Sequence, residues 1–427
     1  MSFFLLIFFG YSWNKLNRVF LNQIYQTNMN QETKQFILEN ANANVHQLAL
    51  QSGRFPLVDM QLAIRQIAGR QKIKSKIPLF YTTDDILYPI QLSVEQSSSE
   101  STANYKSTLC EGNTLVDLTG GFGVDCCFMS RRFKEVVYVE RQEELCELAR
   151  HNFNVLNINH IQVIHAETEQ YLTQLQPVDW IFIDPARRSK TGNKVVFLSD
   201  CEPDVSILSS ILLEKAKNVM IKLSPMMDIT AAVRDLPNTT EILIISVENE
   251  CKEILLILKP TFSEKQIVKT INIRKDNEIQ TFDFDQEKEL NASALFCSTI
   301  EKYLYEPNAA IMKSGAFKLI GERFELHKLH KNTHLYTSNE LKTDFPGRVF
   351  EVIKEWETSK NELKKDIERV SKANISTRNY PLSADDLRKK LKIKDGGEVY
   401  LFACTISNER KVILECQRIK NKDERQK

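Results

Sequence analysis

Val116-Asp117-Leu118-Thr119-Gly120-Gly121-Phe122-Gly123-Val124-Asp125 is the stretch that decides the fold of this chain. It continues a short apolar run that begins at Thr114, and it leads into a segment with helical spacing. Glycines at such a strand-to-helix turn allow the backbone to fold tightly beneath a ligand. The stretch therefore predicts an α/β fold with a binding site at this loop.

The ligand of this loop is predicted to be a cation. A dinucleotide-binding loop has the pattern G-x-G-x-x-G, whereas this loop is G-G-x-G and follows Asp117, whose carboxylate would repel a pyrophosphate. The same carboxylate attracts the amino group and the sulfonium of S-adenosylmethionine, which are both positive. We therefore expect S-adenosylmethionine as the cofactor, in a pocket that includes Asp117, Thr119, Gly120, Gly121, Phe122 and Gly123.

Acidic residues also follow the next two predicted strands. Glu140 comes after the run Val136–Val139, about 20 residues beyond the glycine loop, where a carboxylate reaches the ribose hydroxyls of an adenosine. Glu167 comes after the third strand and is expected near the adenine amino group. Glu169 is an equally good candidate, because a shift in register exchanges the two, and either could instead be a carboxylate that stabilises the start of a helix.

The fourth predicted strand ends in Trp180-Ile181-Phe182-Ile183-Asp184-Pro185-Ala186-Arg187-Arg188 and brings Asp184 to the carboxyl edge of the sheet, where α/β proteins bind ligands. Methyltransferases that act on amino groups usually carry Asp or Asn, two prolines and an aromatic residue here. This chain keeps Asp184 and Pro185 but lacks the other two residues. We expect Asp184 and the Pro185 backbone to accept hydrogen bonds from the methylated group, and Asp184 to border the cofactor as well.

Cationic side chains are predicted at the same edge of the sheet. Arg187 and Arg188 suit recognition of a phosphate or carboxylate on the substrate, or else they pair with Glu202 or Asp204. The next strand ends in Lys222-Leu223-Ser224-Pro225. We expect Lys222 and Ser224 to contact the substrate or to order the Asp184 loop.

Short apolar runs alternate with helical segments between Thr114 and Pro260, and this alternation predicts a parallel sheet covered on both faces. The last two runs are close together and predict an antiparallel hairpin. Seven strands in this arrangement are typical of a Rossmann-like class I methyltransferase core. Beyond Pro260 the pattern predicts two strands, Gln266–Ile273 and Glu278–Phe284, and two helices, Ala292–Leu304 and Arg348–Trp356.

Composition narrows the class of protein. The chain has 427 residues and a net charge of +1, so a nucleic-acid surface would have to be a local patch. Nine cysteines without a C-x-x-C pair and seven scattered histidines predict reduced thiols and no metal site. The apolar run Phe3–Phe9 is too short to span a membrane. We expect a cytoplasmic protein without a membrane partner, and we expect residues 1–28 to be a spurious or disordered extension.

The motifs together resemble one family of class I S-adenosylmethionine-dependent methyltransferases with a C-terminal THUMP-like domain. The resemblance rests on the Asp117 loop, the Asp184-Pro185-Ala186-Arg187-Arg188 end, Lys222-Leu223-Ser224-Pro225 and the upstream Ser99-Glu100-Ser101-Thr102-Ala103-Asn104-Tyr105-Lys106. It implies a helical N-terminal region over residues 29–92, a methyltransferase domain over 93–260, a ferredoxin-like module over 261–344, a THUMP-like domain over 345–420 and a charged tail over 421–427.

The resemblance implies RNA as the partner only by analogy, because THUMP domains bind structured RNA beside several RNA-modifying enzymes. From Phe345 onward there are 20 Lys and Arg against 14 Asp and Glu, which is modest support from the residues themselves. We expect methyl transfer to a base of structured RNA such as tRNA or rRNA. A small-molecule or protein methyltransferase, and a non-catalytic RNA-binding protein that retains the pocket, are the alternatives.

Overall fold

The computed structural model describes residues 29–187, 197–261, 265–356 and 360–419. The chain divides into two compact units, one formed by residues up to 238 together with 257–261, and the other by 239–256 together with the residues after 261. The extension 1–28, the tail 421–427, Arg188 and the side chain of Arg187 lie outside the described residues.

Eleven described helices belong to the first unit. They are α1 Gln31–Glu39, α2 Val45–Leu50, α3 Met60–Ile73, α4 Pro78–Thr82, α5 Gln91–Gln96, α6 Glu100–Ser107, α7 Val124–Met129, α8 Glu143–Val155, α9 Thr168–Gln174, α10 Val205–Lys215 and α11 Ile229–Asp235. Short polar side chains begin several of them: Asn30 Oδ1 accepts a hydrogen bond from Thr33 N at 2.8 Å, and Asp59 Oδ1 accepts one from Leu62 N at 3.0 Å. The helical N-terminal region is therefore present.

Five long strands of the first unit form a parallel arrangement in the order β7-β4-β1-β2-β3. The strands of this unit, with one short two-stranded ribbon, are β1 Thr114–Asp117, β2 Glu135–Glu140, β3 Ile161–His165, β4 Val178–Ile183, β5 Ala186–Arg187, β6 Cys201–Glu202 and β7 Ala216–Leu223. Every long strand lies where the apolar runs predict it. Their carboxyl ends share one edge, so the residues predicted for the site are brought together.

The second unit contains strands β8 Thr239–Val247 and β9 Glu250–Leu258, joined by a turn in which Glu248 and Asn249 have positive φ. Strand β10 Ile267–Ile273 pairs in parallel with β8, and β11 Ile279–Asp285 pairs antiparallel with β10. These two strands, predicted from the sequence as the start of a separate α+β unit, therefore extend the sheet that contains β8.

A seven-stranded sheet completes the second unit, in the order β13-β14-β12-β15-β18-β17-β16. Its strands are β12 Tyr303–Pro307, β13 His327–Lys328, β14 Tyr336–Ser338, β15 Gly347–Trp356, β16 Asn374–Arg378, β17 Val399–Thr405 and β18 Lys411–Arg418. The helices of this unit are α12 Gln286–Asn291, α13 Ala309–Ser314, α14 Leu319–Arg323, α15 Lys360–Arg369 and α16 Ala384–Leu391.

Two helices predicted from the sequence are wrong. Residues 348–356 form part of strand β15, because β12 and β18 pair with it on its two sides. Residues 292–302 contain no helix, and Tyr303 and Leu304 begin strand β12. In both segments the apolar residues fit a helical period, but long-range strand pairing decides the structure.

Candidate active site

A cavity of about 190 Å³ lies at the carboxyl edge of the parallel strands of the first unit. All nine residues predicted for the cofactor pocket line it, together with Lys222 from the predicted substrate set: Asp117, Thr119, Gly120, Gly121, Phe122, Gly123, Glu140, Glu167 and Asp184. The lining also includes Asp125, Glu169 and Glu202, so its described residues comprise seven carboxylates against two cationic side chains, Arg141 and Lys222. Such a lining suits a positively charged ligand.

The glycine loop is shaped by close packing beneath it. A Cβ atom added to Gly120 would lie 2.1 Å from Cε2 of the Tyr138 ring, so no side chain fits there. The Tyr138 hydroxyl donates a hydrogen bond to Gly121 O at 2.6 Å. Gly121 and Gly123 adopt φ values of 54° and 80°, in the region that favours glycine. The loop is therefore fixed against strand β2 and presents its backbone to the cavity.

Glu140 connects the end of β2 to this loop. Its side chain is 7% exposed; Oε2 accepts a hydrogen bond from Gly121 N at 2.9 Å, and Oε1 accepts one from Gln142 N at 2.9 Å. A carboxylate oxygen can accept more than one hydrogen bond, so both oxygens retain capacity for the hydroxyls of a ligand. The geometry fits the expected role of Glu140 in holding a ribose.

Asp117 is buried at the end of β1 with 1% of its surface exposed. Its Oδ1 accepts a hydrogen bond from Thr119 N at 3.0 Å. Burial raises the pKa of Asp117 well above its ordinary value, and the nearby carboxylates of Asp125 and Asp184 raise it further. A cation beside Asp117 would stabilise the ionised form. Ionisation of Asp117 is therefore unfavourable until a positive ligand binds.

Asp184 is held by two contacts. Its backbone N donates a hydrogen bond to Thr119 Oγ1 at 2.6 Å, and its Oδ2 lies 2.6 Å from Lys222 Nζ. Burial raises the pKa of Asp184, although the Lys222 ammonium opposes that rise. With its side chain 36% exposed, the carboxylate remains accessible to the cavity.

Lys222 also contacts the residues behind Asp184. Its Nζ lies 3.1 Å from Asp125 Oδ2 and donates a hydrogen bond to Ser98 Oγ at 3.0 Å. This position favours the expectation that Lys222 orders the Asp184 loop. Pro185 and Ser224 are not among the lining residues: Pro185 is buried, and Ser224 Oγ accepts a hydrogen bond from Met226 N at 3.3 Å.

A second lysine completes this buried network. Lys106 is fully buried, and its Nζ lies 3.1 Å from Asp125 Oδ1 and 3.1 Å from Ser98 Oγ. Burial alone would raise the pKa of Asp125, but Lys106 and Lys222 outweigh that effect and hold the pKa below its ordinary value. Two lysines and two carboxylates thus form one connected cluster under the site.

Sequence reasoning assigned no role to Ser98, Lys106 or Asp125. Asp125 closes the decisive stretch itself, and Lys106 closes the upstream motif Ser99–Lys106, so each was visible as part of a pattern. Their pairing was not visible, because Asp125 and Lys222 are 97 residues apart in the chain. The helical N-terminal region also reaches the loop, where the Phe80 and Phe122 rings meet at 5.3 Å.

Glu167 and Glu169 are both exposed and both line the cavity. The choice between them for the adenine amino group therefore stays open. Glu202, considered above as a partner of the arginines, pairs with Arg141 at 3.0 Å. Ala186 and Arg187 form the short strand β5, in which Arg187 pairs through its backbone with Cys201.

Within the described ranges, no cluster of His, Cys, Asp and Glu could hold a metal ion. Among the helices that the structure describes, none has the length and apolar character needed to cross a bilayer.

Comparison with known proteins identifies the parts of the chain. Residues 67–231 match the family described as conserved hypothetical protein 95, residues 303–346 match a ferredoxin-like domain, and residues 347–418 match a THUMP domain-like family. A search of curated proteins gave no significant match.

Solved structures extend the comparison to most of the chain. A candidate methyltransferase from Porphyromonas gingivalis W83 is 33% identical, with 91% of this chain and 98% of the other covered and a TM-score of 0.83. A candidate methyltransferase from Streptococcus mutans, crystallised with SAH, is 16% identical over 38% of this chain and 96% of the other, with a TM-score of 0.28. The second likeness is too distant to bear on function.

The chain therefore has a class I methyltransferase fold, as the sequence predicted. The identity and coverage of the Porphyromonas gingivalis structure, together with the domain matches, place the chain more narrowly. It belongs to the family of class I methyltransferase-like proteins that carry a ferredoxin-like domain and a C-terminal THUMP-like domain.

Proposed function

We propose that this protein transfers the methyl group of S-adenosylmethionine to a base atom of structured RNA. The observation that carries the cofactor part is the single acidic cavity, in which Asp117, the glycine loop and Glu140 face one space. Asp117 would hold the cationic amino group, and Glu140 would accept hydrogen bonds from the ribose hydroxyls. Glu167 or Glu169 would accept one from the adenine amino group.

When bound, S-adenosylmethionine supplies an electrophilic methyl group on its sulfonium. The protein's own contribution is chiefly to position the acceptor atom. Asp184 accepts a hydrogen bond from an N–H of the nucleophile and so directs the nitrogen lone pair into the cavity. Lys222, 2.6 Å away, keeps the Asp184 carboxylate in one orientation. An amine loses its proton after the transfer, so no strong general base is required.

The RNA part of the proposal rests on different support. The chain contains a THUMP-like domain over residues 347–418, and 20 Lys and Arg against 14 Asp and Glu follow Phe345. An excess of cationic side chains suits a polyanion. Arg187 and Arg188 follow Asp184 after two intervening residues and would contact a phosphate of the same substrate.

The cofactor is tested by calorimetric titration with S-adenosylmethionine and S-adenosylhomocysteine. Wild type should bind both, and Asp117→Asn with Glu140→Gln should lose binding by at least about a hundredfold, because two direct contacts are removed. Glu135→Gln is the matched control, since Glu135 is an exposed acid at the other end of strand β2 and lies outside the cavity. Absence of binding to the wild type would overturn the cofactor assignment.

The substrate is tested by transfer of a tritiated methyl group. Purified protein is incubated with labelled S-adenosylmethionine and, separately, with total RNA, total protein and a small-molecule extract. We expect label in the RNA and loss of that label with Asp184→Ala, which removes the acceptor oxygens. Label in protein or in the extract alone would replace RNA as the substrate and leave the methyltransferase assignment standing. Cofactor binding without transfer to any fraction would favour a non-catalytic protein.

A further inference from the structure

A second cavity, of about 760 Å³, lies entirely within the second unit. It is bounded by the β8–β9 turn, the β10–β11 turn, the start of β15 and the end of β18. Side chains from all these elements line it, and most are cationic or amide groups: Glu248, Asn249, Asn272, Arg274, Lys275, Asp276, Gln280, Asn308, Arg348 and Arg418. A cavity of this size accommodates a ligand as large as a nucleotide.

The amide NH₂ group of Asn308 is a buried donor without an acceptor in the described part of the chain. Asn308 lines the cavity with 2% of its surface exposed, and its Oδ1 accepts a hydrogen bond from Ile311 N at 3.1 Å. Its Nδ2 has no hydrogen-bond partner among the residues that the structure describes. Buried polar groups are nearly always satisfied, so the NH₂ group of this lining residue is an unused donor beside the cavity.

The guanidinium of Arg348 is oriented by a buried carboxylate. Its Nε donates a hydrogen bond at 2.7 Å to Oε2 of the buried Glu306, and Arg378 Nη2 lies 2.7 Å from Oε1 of the same carboxylate. The carboxylate of Glu306 therefore pairs with two guanidinium groups. Together, Glu306, Arg348 and Arg378 carry one net positive charge. A planar guanidinium fixed on one side presents its remaining N–H donors in a defined direction.

Hydrogen bonds of side-chain amide groups order another part of the lining. Asn249 Oδ1 accepts a hydrogen bond from Ala309 N at 2.8 Å, and Asn272 Oδ1 accepts one from Asn249 N at 3.0 Å. Asn272 Nδ2 in turn donates to Gln280 Oε1 at 2.9 Å. These bonds tie the two turns to the residue that follows Asn308, so this part of the lining is ordered before a ligand binds.

The charges of the lining favour an anion. Four cationic side chains, Arg274, Lys275, Arg348 and Arg418, stand against two carboxylates, Glu248 and Asp276. Both carboxylates are exposed on the turns, whereas the Arg274 side chain is only 15% exposed. Arg274 is oriented by Glu278, at 3.1 Å. In the described lining as a whole, cationic side chains thus outnumber carboxylates.

We propose that this second cavity binds a phosphate group. Phosphate oxygens only accept hydrogen bonds and attract several donors at once, which matches the guanidinium of Arg348, the amide of Asn308 and the exposed cations Lys275 and Arg418. The phosphate belongs either to the backbone of a single RNA strand or to a free nucleotide. The site does not depend on methyl transfer in the first unit, and its test uses no cofactor.

The experiment measures binding to the full chain by fluorescence anisotropy. The probe is a labelled oligouridylate of about 12 nucleotides, a length taken from single-strand site sizes, titrated at several salt concentrations. Uridine 5′-monophosphate serves as competitor, because an adenine nucleotide could enter the first cavity. The variants are Lys275→Gln with Arg418→Gln, and Asn308→Asp, which keeps the helix-capping oxygen but removes the NH₂ donor. Lys288→Gln with Lys372→Gln is the control, since both lysines are exposed and lie outside the lining.

We expect the double variant to bind the oligouridylate about tenfold more weakly or worse, while the control binds within about twofold of wild type. The slope of log binding constant against log salt concentration should become shallower by about 1.4, because two cations are lost and the probe is single-stranded. Asn308→Asp should also weaken binding, because it turns a donor into a negative charge. Displacement by uridine monophosphate would assign a nucleotide site, and its absence the RNA backbone. The proposal is overturned if wild type binds neither probe, or if the double variant binds as wild type does. The exposed double variant decides the question should Asn308→Asp fail to fold.

Discussion

Lys222 Nζ lies 2.6 Å from Asp184 Oδ2 and 3.1 Å from Asp125 Oδ2, so one ammonium joins the cavity carboxylate to the buried one. Lys222 and Asp184 end neighbouring strands, β7 and β4, which pair in parallel. In the proposed reaction Asp184 accepts a hydrogen bond, and its carboxyl group is the stronger acceptor when it is ionised. Lys222 is therefore a positioning residue that also controls the charge of Asp184.

Replacement of this lysine should shift the pH dependence of methyl transfer. Burial raises the pKa of Asp184 and Lys222 opposes that rise, so Lys222→Gln raises the pKa further. Activity needs the carboxylate and is lost as pH falls through that pKa. The acid limb of the rate profile should move about one to three pH units upward. Rates measured from about pH 5 to pH 9, a range that covers this shift, check the expectation.

Lys217 provides the matched control on the same strand. Its Nζ lies 2.7 Å from Asp179 with its side chain 77% exposed, far from the cavity lining. Lys217→Gln should leave the acid limb unchanged. An unshifted profile for Lys222→Gln would show that this lysine does not control the ionisation of Asp184.

Cofactor binding should release a proton from Asp117. Burial holds the pKa of the free carboxyl well above its ordinary value, and a bound cation lowers it. At a pH between these two values, up to about one proton leaves per cofactor bound, and affinity rises with pH. Calorimetry in buffers of different ionisation enthalpy measures that proton. Asp117→Asn should abolish the release, and equal release from wild type and variant would assign the proton to another group.

Much of the first unit could be predicted from the sequence. Strands buried on both faces appear as continuous apolar runs, so the ends of β1, β2 and β4, and with them Asp117, Glu140 and Asp184, could be located. Glycines at positive φ mark the loop. All of these signals are local, which is why all nine predicted cofactor residues line one cavity.

The remainder depended on contacts between distant segments. The Lys106–Asp125–Lys222 cluster joins three segments, and no local pattern shows which lysine meets which acid. Strand β15 was predicted as a helix because Val349, Phe350, Val352 and Trp356 fit a helical spacing, and only pairing with β12 and β18 decides otherwise. The second cavity is formed by two turns and two strand ends that are far apart in the chain, so the sequence offers no signal for Asn308.

Gly120→Ala should damage the loop through packing alone. The new Cβ would lie 2.1 Å from the Tyr138 ring, and that ring cannot retreat easily because its hydroxyl binds Gly121 O. We expect a loss of about 1–3 kcal/mol in the free energy of unfolding and weaker cofactor binding. Gly53→Ala is the control, since nothing lies within 4 Å of its added Cβ. Chemical denaturation of both variants makes the comparison, and equal stability would show that the loop can relax.

Asp125→Asn should destabilise the first unit strongly. Asp125 is 8% exposed and Lys106 is fully buried, so the variant leaves two buried ammonium groups with one fewer carboxylate between them. We expect a loss of about 3–5 kcal/mol in the free energy of unfolding.

The stabilisation by Asp125 should also depend on pH. Because the pKa of Asp125 is lowered on folding, its contribution to the free energy of unfolding is present above its unfolded pKa, about 3.9, and is lost as pH falls below it. The variant should therefore lose less stability than wild type on acidification. Glu144→Gln, which breaks the exposed pair with Arg65 at 2.6 Å, should cost about 1 kcal/mol or less. Urea denaturation at neutral and acid pH measures both effects, and an Asp125→Asn protein as stable as the Glu144→Gln control would show that the cluster does not hold this unit together.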